Sequence, residues 1–146
     1  MSGDTGVNPA PAIISGLISE VHFLCKQTDS DEGLNPDLLA SANVRQYIHD
    51  SPTDLLRNPL PEPLIFDLCL DLFNQEENTK KLGEGDLWPD TEIVAWLDSM
   101  RPVIERAALL TVSLSFGYSG TEEDTKHLAA LVLPHLQEGR ACRNGK

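Results

Sequence analysis

A chain of 146 residues with 40% apolar side chains can bury one hydrophobic core and is not composed like a disordered tail. Its 23 acidic residues against 11 basic ones leave a formal charge of −12, which argues against nucleic acid and against an anionic membrane surface as partners. The acidic excess suits a protein partner with a basic surface, or serves solubility alone.

The first eight residues read as a polar lead. Asn8 and Pro9 then offer a helix cap and a first helical position. Ile13, Ile14, Leu17, Ile18, Val21, Leu24 and Cys25 recur at spacings of three and four, which predicts an amphipathic helix. An acidic loop ends at Gly33. A second helix is predicted in "LNPDLLASANVRQYIH", with Asn35 as cap, Pro36 at the first position and Leu34 stapled to Leu39. "DSPTDLLRN" repeats the device, with Ser51 as cap and Pro52 after it.

Residues 54–73, "DLLRNPLPEPLIFDLCLDLF", place three prolines before an apolar run. Leu64, Phe66, Leu68, Leu70 and Leu72 alternate as a strand would. Asp67, Asp71, Asn74 and Asn78 also share a helix face, opposite Ile65, Leu68, Cys69 and Leu72, and this favours a helix ending before Gly83. Further on, Ile93, Trp96, Leu97 and Met100 share a face, and Pro102 kinks that helix or begins a new one. "ALLTVSLSF" also mimics a strand but is read as helix. Thr121 caps the last helix, which buries Leu128, Leu131, Val132 and Leu136 and is distorted by Pro134. A polar tail is expected over residues 139–146. With no strand assigned, the expected class is all-α, in one domain over residues 9–138.

Catalytic signatures are missing. There is no phosphate loop, dinucleotide fingerprint, HExxH or GxSxG. Cys25, Cys69 and Cys142 form no CxxC pair, so neither a disulfide framework nor a zinc site is expected. His22, His49, His127 and His135 have no ligand spacing and read as structural or surface groups. Asp67 and Asp71 read as part of a solvated helix face. No cofactor, no metal and no catalytic residue is expected. No signal peptide and no apolar span of about 18 residues is seen, so the expectation is a cytoplasmic protein without direct membrane insertion.

One family resemblance bears on function. "LLRNPLPEPLI" resembles the RhoGAP (breakpoint-cluster homology) signature, in which a leucine–arginine pair precedes L-P-E-P-L; Asn58 and Pro59 stand where the family has one residue. "APAIISGLISEV" resembles the family's opening proline and apolar helix. "DEGLNPDLLASANV" resembles the loop that carries the catalytic arginine, and "TKHLAALVLPHL" the late helix with N-L-A. The resemblance spans residues 11–136 and implies a shortened RhoGAP-like helical bundle that docks a Rho-family small GTPase.

The catalytic part of the pattern is absent. An arginine supplied in trans contributes about 10³–10⁵ in rate, because it meets charge that develops in the transition state. "EGLNPDLLASANV" contains no arginine; Asn35, Pro36 and Asp37 occupy that region. His127 replaces the asparagine of N-L-A, and Thr53 stands where the family has a lysine. Arg57 is the family-matched cation that remains. The resemblance therefore implies a non-enzymatic interaction domain that binds a small GTPase or an adaptor without stimulating GTP hydrolysis. Its binding residues would be Arg57, His127 and Asn35. The alternatives are a small acidic helical inhibitor or adaptor unrelated to RhoGAP and, third, an active GTPase-activating protein.

Overall fold

The alternation in residues 64–72 has the period of a strand, and a strand is what forms there. The computed structural model describes residues 10–24, 33–75 and 83–144. The chain divides into two compact units, Asn8–Pro59 and Leu60–Lys146. The first contains α1 (Ala10–Ile14), β1 (Glu20–Leu24), α2 (Pro36–Ala42), β2 (Arg45–His49) and α3 (Pro52–Leu56). The second contains β3 (Ile65–Cys69), a 3₁₀ turn (Leu70–Phe73), α4 (Asp90–Ser99), α5 (Arg101–Arg106), β4 (Leu109–Ser113) and α6 (Glu122–Asn144).

The fold is thus mixed α/β, and the all-α expectation is corrected, together with the helical RhoGAP-like bundle that it carried. Each unit holds a two-stranded parallel sheet, β1 with β2 and β3 with β4. Parallel strands require a crossover of a dozen or more residues. That crossover contains α2 in the first unit and α4 and α5 in the second.

Three local causes explain why the helix readings failed. The first apolar run is cut at Gly16, whose φ of +76° is left-handed, so helix stops after Ile14. Val21 and Phe23 then extend the chain into β1. The second helix stops at Asn43, a left-handed cap with φ 55° whose N–H bonds back to the helix carbonyls. Tyr47 and Ile48, which suit a pleated surface, follow in β2. In β3, Phe66 and Leu68 are buried while Ile65 and Asp67 are exposed. Asp67 and Asp71 therefore lie on a strand and on the turn after it, not on one solvated helix face. Cys25 and Asn78 lie outside the described residues.

Local helix-start chemistry reads correctly at Asn35, Ser51 and Thr121, whereas Asn8 and Pro9 lie outside the described residues. The Asn35 side chain accepts from the N–H groups of Asp37 and Leu38, and Ser51 accepts from Asp54. Thr121 and Asp124 form a reciprocal box at the start of α6: Asp124 N–H donates to Thr121 Oγ1 at 3.1 Å, and Thr121 N–H to Asp124 Oδ2 at 2.9 Å. α6 continues past Pro134 to Asn144, so helix occupies most of the span expected to be a polar tail.

The core of the second unit joins one face of its sheet to the helices. Phe66, Leu68, Leu70 and Phe73 are buried, as are Ile93 and Leu97 of α4, Val103 and Ile104 of α5, and Leu128, Val132 and Leu136 of α6. Trp88 and Trp96 both meet Phe73 edge to face, with ring centroids 5.5 Å apart in each pair. The proline stretch is fastened at its base: Arg106 donates to Leu60 O at 2.8 Å and to Glu62 Oε1 at 3.1 Å.

Candidate functional site

Two strands in parallel register place every second residue on one face. On the β1–β2 sheet the register pairs are Glu20 with Arg45, His22 with Tyr47 and Leu24 with His49. Four polar residues and one polar aromatic thus share one side of a small sheet. Ser51 caps α3 directly after β2, and the turn brings Asp54 beneath His49.

The side chains form one continuous chain of contacts. Arg45 donates to Glu20 Oε2 at 2.8 Å, and Glu20 Oε1 lies 2.7 Å from His22 Nε2. His22 Nδ1 faces His49 Nε2 at 2.9 Å, and His49 Nδ1 reaches Asp54 Oδ2 at 3.0 Å. The two imidazoles are within 4° of parallel with centroids 5.1 Å apart. A nitrogen separation of 2.9 Å is closer than face-to-face stacking permits, so the rings meet edge to edge, with the lone pair of one aimed at the N–H of the other. Tyr47 stacks on His22 at 4.9 Å. His49 is only 3% exposed, whereas the Asp54 side chain is 45% exposed. All four ring nitrogens are engaged within the protein, which suits a held network better than a base open to substrate. Among the described residues no group of three or more His, Cys, Asp or Glu side chains is arranged to hold a metal ion.

The sequence reading missed this network because His22 and His49 are 27 residues apart. A period-two signal was present: Glu20-x-His22-x-Leu24 and Arg45-x-Tyr47-x-His49 both alternate.

The residues singled out from the sequence are not brought together as one site. Asn35 caps α2. Arg57 is the exposed cap residue of α3, and its guanidinium forms no ion pair among the described residues. His127 sits on α6 in the second unit, where Nε2 lies 2.7 Å from Asp90 Oδ1 at the start of α4.

A second polar cluster lies at the carboxyl ends of β3 and β4. Asp71 Oδ1 is shielded from solvent and has no hydrogen-bond partner among the described residues. Asn74 ties the loops after the two strands together: Nδ2 donates to Tyr118 O at 2.8 Å, and Oδ1 accepts from Asp86 N–H at 2.9 Å. Ser119 Oγ is buried against Thr125 Oγ1 at 2.6 Å, and Ser115 holds a left-handed φ of 48°.

No family model, curated protein or solved structure matches this chain. No helix among the described residues is long and apolar enough to cross a membrane.

Proposed function

We propose that the chain is an acidic, non-enzymatic protein-interaction module of the cytoplasm. The observation that carries this reading is the pair Ile65 and Leu109. They are register partners on β3 and β4, and they are 54% and 48% exposed on the same face. Asp67 and Thr111 continue that face and are hydrogen-bonded to each other. An exposed apolar pair beside a carboxylate fits a partner that offers an apolar anchor within a basic rim. On the reverse of β4, Leu110 and Val112 join Leu133, Leu136, Gln137 and Arg140 around a shallow groove of about 210 Å³.

The first candidate partner is a Rho-class small GTPase, suggested by "LLRNPLPEPLI" and bound without faster hydrolysis. That suggestion rests on the sequence stretch and on exposed Arg57, because the helical bundle implied with it is not this fold. An adaptor protein with a basic surface is the other candidate of the same class.

The test is retention of purified, nucleotide-loaded Rho-class GTPases by the full chain, beside an Ile65→Glu/Leu109→Glu variant with an unchanged melting point. Binding by the native chain that the variant loses supports the reading. Binding that the variant retains removes this face from it. Accelerated GTP hydrolysis would remove the non-enzymatic part.

A second reading is favoured by Asp71. In open parallel sheets, ligands bind outside the carboxyl ends of the strands. A shielded carboxylate oxygen that has no donor there among the described residues suits a small ligand that brings one. Asp71→Asn, which alters the oxygen without changing the side-chain size, separates the readings: it changes small-ligand binding and leaves the Ile65–Leu109 face intact.

A further inference from the structure

The network on the β1–β2 face fixes its own proton count. Glu20–His22, His22–His49 and His49–Asp54 are three hydrogen bonds, at 2.7, 2.9 and 3.0 Å. Ionised carboxylates only accept, so His22 Nε2 and His49 Nδ1 must both carry hydrogen. The bond between the rings requires a third hydrogen, on His22 Nδ1 or on His49 Nε2 but not on both. Three ring hydrogens on two imidazoles amount to one positive charge. With Glu20 and Asp54 negative and Arg45 positive, the cluster is then neutral overall.

Either change of that count breaks a contact. A neutral pair has two ring hydrogens for three bonds. A doubly charged pair sets N–H against N–H across 2.9 Å. The charged and titratable groups facing the rings among the described residues are Glu20 on β1, Arg45 and Tyr47 on β2, and Asp54 on α3. α3 packs on both strands, and its polar tie to the sheet runs through Asp54 to His49.

We propose that His22 and His49 share a single proton that fastens α3 to the β1–β2 sheet, so that this unit loosens when the proton is lost or a second one is gained. Imidazole is the side chain whose charge ordinarily changes in the physiological range, so proton concentration becomes an input to the unit's rigidity.

The experiment uses the full chain labelled with ¹⁵N-histidine. Ring nitrogen spectra count the hydrogens on His22 and His49 across the pH range, and hydrogen exchange, corrected for intrinsic rates, follows the α3 amides. The expected result is three ring hydrogens at the pH of greatest α3 protection, with protection falling about fivefold on either side, as the loss of one hydrogen bond implies. Two or four ring hydrogens at that pH, or α3 protection that ignores pH, would overturn the proposal. In His22→Leu the maximum should vanish. Should that variant fail to fold, the ring-hydrogen count in the native chain still decides.

Discussion

Gly120 shows how one residue can fix an element's start. Its φ is +99°, and a methyl group there would lie 2.6 Å from Asp124 Oδ2, the oxygen that accepts from Thr121 N–H. Gly120→Ala therefore strains the backbone and displaces half of the capping box. The backbone part alone costs about 1–2 kcal/mol, and thermal melts should show a lower midpoint. At this scale the sequence was legible where the chemistry was local. Asn35, Ser51 and Thr121 were readable as caps, because a cap acts over two or three residues. His22 and His49 were not readable as partners, since only the pairing of two strands brings them together. Asp71 was misread for a related reason: its helix-face neighbours in sequence belong to a strand and a turn.

At the scale of elements, the contest lay between two periods. Residues 64–72 satisfied both, and the parallel partner decided the outcome. β4 offers half-buried Leu110 opposite Phe66 and half-buried Val112 opposite Leu68, so its apolar side chains extend the face that β3 buries. Propensity could not show this, because the partner lies 44 residues away. Leu68 is 3% exposed, and Leu68→Ala is expected to destabilise by about 2–5 kcal/mol; an unchanged urea midpoint would contradict its place in the core. α6 was the most legible helix, with Leu128, Val132 and Leu136 buried as their spacing requires, although Leu131 is only half-buried. Its first turn has a pH signature. The hydrogen bond to Lys126, and then that residue's charge, hold the exposed Glu122 carboxyl below its ordinary value of 4.5. A lowered folded-state value means stabilisation that is present above the unfolded value and lost as pH falls through the folded one. Carboxyl chemical shifts of Glu122 should therefore titrate at lower pH in the native chain than in Lys126→Met.

For the whole molecule, the two units provide separate spectroscopic reporters. Both tryptophans, Trp88 and Trp96, report on the second unit through Phe73, while His22, Tyr47 and His49 report on the first. Urea unfolding followed by tryptophan fluorescence and by the ring resonances of His22 and His49 is expected to give two midpoints. Coincident curves would show that the units unfold as one. At this scale, composition supplied the charge and the missing catalytic signatures. Connectivity was not legible, since a parallel pairing leaves no turn signature between its strands, unlike a hairpin.

The mixed ladder of β1 and β2 has a consequence for how the chain avoids error. Two strands of five residues can slide past each other, and a slip of one residue exchanges the faces. Here such a slip would set Glu20 against Gln46, part it from Arg45, and turn His22 away from His49. An all-aliphatic pair would tolerate the same displacement at little cost. The polar ladder thus acts as a key cut for one alignment, and misaligned chains forfeit both cross-strand contacts, Glu20–Arg45 and His22–His49, at once.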